Sequence, residues 1–132
     1  MSQSFKISTT LPANARQIYR AWLSGKEHAA FTGDAAEVDP KVGGRFTAFS
    51  DYIEGTNLEL QPNKKIVQAW RTTEFPAGSE DSRLEVTLEE MKTGTKLTLT
   101  HSNIPDGQGD SYKDGWKKFY FKPMKEYFGK KK

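Results

Sequence analysis

The segment DGWKKFYFKPMKEYFGKKK, Asp114 to Lys132, sets the strongest constraint on the fold. It reads as a helix, yet Trp116, Phe119, Tyr120, Phe121, Met124, Tyr127 and Phe128 fall on most of its sides, and Pro123 sits among them. A surface helix shows one apolar stripe, so a helix apolar nearly all round must be covered on most of its circumference. The rest of the chain therefore has to wrap it. Within that helix Tyr112, Trp116, Tyr120, Pro123 and Tyr127 line one side, and Phe121, Met124 and Phe128 fill a neighbouring stripe. Pro123 lacks an amide donor and its ring collides with the preceding turn, which predicts a bend.

What precedes it is suited to the task. Phe5 to Thr9 alternates as a strand, and Pro12 opens ANARQIYRAWL, where Ala15, Ile18, Tyr19, Trp22 and Leu23 recur at helical spacing. Ser24 and Glu27 have capping-box spacing and predict a second short helix, Gly25 to Phe31, ending near Gly33. From Ala35 to His101 the period changes to two. Strands are predicted over 45–52, 53–60, 65–73 and around Leu84–Leu88 and Leu97–Leu99, with turns at Asp39-Pro40, Gly43-Gly44, Pro62-Asn63 and Lys92-Thr93-Gly94. Leu84, Val86 and Leu88 alternate with Arg83, Glu85, Thr87 and Glu89, giving each strand one wet and one dry face. The expected fold is α+β: a curved antiparallel sheet of six or seven strands wrapped around a long C-terminal helix, with two short helices after the first strand. A bent helix against a curved sheet leaves room for an internal pocket.

With 132 residues the chain fits one domain, 1–132, and residues 128–132 read as a frayed basic tail. There is no cysteine, which removes disulfides, thiolate metal sites and thiol catalysis. No apolar run approaches a bilayer span and MSQSFKIST lacks the features of a signal peptide, so no membrane partner is expected and the expected location is cytoplasmic. The net charge of +3 owes part of its excess to the terminal lysines.

The order of elements resembles the helix-grip fold of the START and pollen-allergen superfamily (SRPBCC). Within it, Ala30-Phe31-Thr32, Gly43-Gly44-Arg45-Phe46, the Pro62 turn before Lys65-Ile66-Val67 and Trp70-Arg71, His101-Ser102-Asn103-Ile104-Pro105, and Gly115-Trp116 before Tyr120-Phe121 resemble the family related to the C-terminal domain of the activator of the heat-shock protein 90 ATPase. The eukaryotic activator has a separate N-terminal domain that contributes to chaperone engagement, for which this sequence has no room. The resemblance therefore implies a small, cavity-containing binding protein. It says more about fold than about function.

Individual residues carry little chemistry. His28 and His101 fall on different elements without ligand spacing, so no metal site is expected; no cofactor motif is present either. His101 continues the dry face of Leu97 and Leu99, where a hydrogen-bonded histidine at a cavity rim or strand end is the plainer reading than a general base. Gln68 shares a dry face with Ile66 and Trp70, so it either meets a buried partner or points into a solvated pocket. Asn57 is undetermined, because Glu54, Thr56, Leu58 and Leu60 leave room for a bulge or a two-sided strand. Lysines interleaved with aromatics at 116–122 could stack nucleic-acid bases, but helical periodicity turns those aromatics toward the sheet, so no nucleic acid is expected.

The leading expectation is a non-catalytic module holding a small apolar molecule against Phe46, Trp70, Leu84, Val86, Leu97, Leu99, Trp116 and Tyr120, with Gln68 or His101 fixing its orientation. The alternatives are a cochaperone-like activator of a chaperone ATPase and a cofactor-free hydrolase or isomerase using His101.

Overall fold

The computed structural model describes residues 2–130; Lys131 and Lys132 of the basic tail lie outside the described residues. Seven strands form one antiparallel sheet: β1 (Ser2–Leu11), β2 (Glu37–Val38), β3 (Arg45–Ala48), β4 (Ile53–Gln61), β5 (Lys65–Thr72), β6 (Ser82–Met91) and β7 (Gly94–Pro105). Their order is β1-β7-β6-β5-β4-β3-β2, so β2 to β7 meander and β7 returns to pair with the first strand. Two helices, α1 (Ala15–Trp22) and α2 (Gly25–Thr32), follow β1. The chain closes with α3 (Gly109–Trp116), a π-helical stretch over Lys117–Phe121, and α4 (Lys122–Lys130).

Local chemistry explains most boundaries. Helix α1 begins three residues later than Pro12 suggested, because Asn14 caps it: the Asn14 side chain accepts from the Gln17 amide at 2.8 Å, and the Gln17 side chain accepts from the Asn14 amide at 3.0 Å. Ser24 caps α2 by accepting from the Glu27 amide, and Gly33 ends it in the left-handed conformation at φ 82°. The Glu27 carboxylate does not close the box but accepts from the Tyr127 hydroxyl at 2.8 Å, which ties α2 to α4.

The alternation read in β6 and β7 holds in space. Leu84, Val86, Leu97 and Leu99 are buried while Arg83, Glu89 and Lys96 face water. Facing Leu88–Leu97, Val86–Leu99 and Leu84–His101 pairs run across the two strands, so one face of the sheet is continuous with the core. Gly55 of β4 is required by close approach: a Cβ there would lie 1.9 Å from the Ala69 carbonyl oxygen and 2.6 Å from the Phe46 ring. The β4–β5 register slips between Asn57 and Glu59, leaving Leu58 as the extra residue of a bulge. This settles the face of Asn57, which is fully buried opposite Gln68, while Leu58 turns outward.

The C-terminal segment lies across the dry face. Tyr112, Trp116, Tyr120, Phe121, Met124 and Phe128 are buried, so Phe128 belongs to the core and not to a frayed tail. The expected bend at Pro123 takes the form of the π-helical stretch immediately before it, where the Lys122 amide donates to the Lys117 carbonyl. Helical backbone runs unbroken from α3 through this stretch into α4, and the widened turn before Pro123 accommodates a residue that has no N–H to donate. Phe119, within this stretch, is the exception among the aromatics: it points outward and remains 56% exposed.

Candidate functional site

An apolar cleft of about 250 Å³ opens where the sheet and the helical segment part. Trp70 of β5 and Ile53 of β4 contribute from the sheet, Tyr112 and Trp116 from α3, and Tyr120 from the π-helical stretch. One lip is the β3–β4 turn with Phe49 and Tyr52; the other is helical, with Ser111, Gly115 and Phe119.

Both lips are built from uncommon backbone. Phe49 and Ser50 are consecutive non-glycine residues with φ of 50° and 60°, a conformation that costs energy for bulky side chains and persists only where neighbours hold it. Here Ser50 is held twice, its amide donating to the Ala35 carbonyl at 2.9 Å and its hydroxyl to the Asp34 carboxylate at 3.1 Å. The Tyr52 amide closes the turn on the Phe49 carbonyl, and its hydroxyl donates to the Glu74 carboxylate. Across the gap, the π-helical stretch presents Phe119, whose ring meets Phe49 edge-on at 6.1 Å.

The floor is an aromatic lattice: Trp116 lies 4.5 Å from Tyr120 and 5.7 Å from Trp70 between ring centroids, and Trp70 lies 5.0 Å from Tyr112. Two polar relays anchor it from behind. Trp116 Nε1–H donates to His101 Nδ1 at 3.1 Å, which leaves the proton of the neutral ring on Nε2, where it donates to Ser82 Oγ at 2.8 Å; the Ser82 hydroxyl donates in turn to the Trp70 carbonyl at 2.7 Å. His28 Nδ1 sits 2.9 Å from the Trp22 carbonyl and must carry the proton, so Nε2 accepts from the Tyr120 hydroxyl at 2.7 Å. Burial lowers the pKa of His101 to about 3 and that of His28 to about 4, and it raises the Tyr120 phenol. Every member of both relays is therefore neutral near pH 7. With both ring nitrogens engaged, neither imidazole offers a lone pair to a substrate in the cleft.

Gln68 has the buried partners that one of its two expected roles required. Its Nε2 donates to Asn57 Oδ1 at 2.8 Å, its Oε1 faces Trp22 Nε1 at 3.5 Å, and Asn57 Nδ2 donates to the Asp39 and Lys41 carbonyls. Neither Gln68 nor His101 reaches the cleft wall, so the polar anchors expected for a ligand are spent inside the core. His101 lies fully within it and not at a rim.

Of the residues singled out from sequence, Trp70, Trp116 and Tyr120 come together in the cleft. Leu84, Val86, Leu97 and Leu99 are buried core, and Phe46 packs over Gly55 and lines a separate depression beside β2 and β3. Residues not singled out as binding residues supply both lips, Phe49, Tyr52, Ser111, Gly115 and Phe119, and part of the walls, Ile53 and Tyr112. Ser111 and Gly115 were readable in principle. Two small residues four apart on a helix, flanking Tyr112 and Trp116, leave its surface uncovered at that point.

Among the described residues no three His, Cys, Asp or Glu side chains converge as a metal site, and no helix is long and apolar enough to cross a membrane. Trp116, Tyr120 and Phe121 are turned inward, away from any base-stacking role, while Lys117, Lys118 and Lys122 remain on the outside.

This arrangement has close counterparts. Residues 12–129 match the family model described as Activator of Hsp90 ATPase homolog 1-like protein. The crystal structure of an HSP90 activator from Plasmodium falciparum superposes with a TM-score of 0.87 at 30% identity, covering 96% of each chain. An uncharacterized protein of Schizosaccharomyces pombe is 28% identical over 91% of the chain and 35% of its own length. The human activator of 90 kDa heat shock protein ATPase homolog 1 is 26% identical over 93% of the chain and 36% of its own length. The chain thus spans about a third of the length of the curated relatives it matches.

Proposed function

The chain belongs to the Activator of Hsp90 ATPase homolog 1-like family, and we propose that it engages a chaperone of the 90 kDa heat-shock class and stimulates its ATPase. The observation that carries this reading is the end-to-end likeness to the Plasmodium activator, whose matched chain has the same extent as this one. A domain of this size is therefore a reasonable unit of chaperone engagement. In this reading the chain does no chemistry itself, consistent with two imidazoles whose nitrogens are all occupied.

The test is steady-state ATP hydrolysis by the purified chaperone of the source organism, titrated with the chain and corrected with a chaperone-specific inhibitor. Saturable stimulation of several-fold is expected. Unchanged turnover together with no measurable binding would refute the reading.

A second reading, a small apolar molecule held between sheet and C-terminal helix, is supported by the cleft alone. The cleft falls below the roughly 300–1,000 Å³ typical of small-molecule sites, and Gln68 and His101 do not reach it. These two facts leave the chaperone reading ahead. Native mass spectrometry of the freshly purified protein distinguishes them, because a resident ligand would appear as an added mass.

A further inference from the structure

We propose that the cleft seats a bulky apolar side chain carried on an acidic segment of the chaperone partner; this rests on the chaperone reading and assigns it a surface. Three observations converge on the same few residues. First, the cleft has an almost wholly apolar lining and a volume of about 250 Å³, which suits one large side chain entering from outside better than an extended ligand.

Second, two irregular stretches of backbone, Phe49-Ser50 and Lys117–Phe121, form its two lips, and each lip presents an aromatic ring to solvent. Phe119 is 56% exposed on the π-helical lip and Tyr52 37% exposed on the turn. An exposed aromatic on each side of an apolar floor offers an incoming side chain a ring to pack against at either edge.

Third, the helical lip of the cleft is basic. From Gly115 to Lys125 the helical segment carries Lys117, Lys118, Lys122 and Lys125 and no carboxylate, and among the described residues none of these lysines has an ion-pair partner. On the sheet, Arg45–Glu54, Arg71–Asp81 and Arg83–Glu85 are paired. Four lysines without ion-pair partners among the described residues thus lie on the helical segment beside the cleft. The turn side carries Asp51, and Asp34 there already accepts from Ser50. A docked segment would run with its carboxylates over the lysines and its apolar residue in the cleft beside the Phe49–Phe119 contact.

Two substitutions probe the cleft without threatening the fold. A Cβ at Gly115 would meet only the Phe119 ring, at 3.8 Å, so Gly115→Leu fills the cleft without a backbone clash. Phe119→Asp replaces a ring that already faces water. Each is expected to weaken binding of the full chain to the purified chaperone by about tenfold or more, with the thermal midpoint unchanged or raised in the first case. Lys118→Glu combined with Lys122→Glu is expected to weaken binding at low salt, with the difference from the parent shrinking above about 0.5 M salt.

Calorimetry or fluorescence anisotropy with the chaperone gives the affinities. If the parent neither binds nor stimulates, the chaperone reading fails and this inference falls with it. Should the parent bind while Gly115→Leu and Phe119→Asp bind equally well, the cleft assignment alone is overturned. A small molecule that co-purifies with the parent and is lost from Gly115→Leu also overturns it, by showing the cleft already filled.

Discussion

Acid should loosen this protein earlier than its carboxylates dictate, because two neutral histidines are locked into the core. In the unfolded chain each imidazole titrates near 6.5; in the fold burial lowers His28 to about 4 and His101 to about 3. The folded state thus binds these protons more weakly than the unfolded one. Stability is complete above pH 6.5, falls as the pH drops below it, and levels off only beneath the folded values. Integrated from pH 7.5 to 5.0, each histidine removes about 2 kcal/mol and the pair about 4 kcal/mol, a large part of the stability of an ordinary domain. Carboxylates in model peptides titrate near 4, so this window isolates the imidazoles. The assay is urea unfolding followed by tryptophan fluorescence and circular dichroism at four pH values, on the parent and on His28→Gln, His101→Gln and the double variant. Each glutamine is expected to lower stability at pH 7.5 by disturbing its relay, yet to remove about half of the pH slope. A parent whose stability is flat between pH 7.5 and 5.0, or a double variant with an undiminished slope, would show that the relays do not hold neutral, desolvated rings.

Trp116→Ala should cost about 3–5 kcal/mol, since it removes a buried ring and leaves His101 Nδ1 without its donor; a denaturant midpoint and loss of blue-shifted emission would report it. Gln68→Leu deprives both Trp22 and Asn57 of partners in the core and is expected to cost about 2–4 kcal/mol by the same measurement. Gly55→Ala drives a methyl into the Ala69 carbonyl and the Phe46 ring, so a loss of about 3 kcal/mol or more, or insoluble expression, is expected, and a normally stable variant would contradict the strand packing described.

Several of these features are legible in local spacing alone. The aromatic crowding of 114–128 demands a wrapping partner, and the period-two pattern from 84 to 101 supplies one, because helix and strand periods fix which side chains share a face. His101 can be placed on the inner face by counting from Leu97 and Leu99, and the Ser24 cap and Gly33 stop follow from residue type. What the sequence does not disclose is everything that depends on two elements meeting. The bulge at Leu58 decides that Asn57 turns inward to Gln68, and only the β4–β5 pairing shows it. Pro123 announces a bend, but whether it takes the form of a kink or of a π-helical stretch with Phe119 exposed on it depends on how the helix seats against the sheet.

The cleft shows the same division. The sequence determined the composition of both surfaces, and with it three of the lining residues, Trp70, Trp116 and Tyr120. Where the surfaces fail to touch was decided by the tertiary structure: the left-handed turn at Phe49-Ser50, the π-helical stretch at Lys117–Phe121, and the relays that hold His101 and Gln68 away. A cavity is the mismatch between two shapes, each set by residues distant in sequence from the other, and no pattern within either one records it.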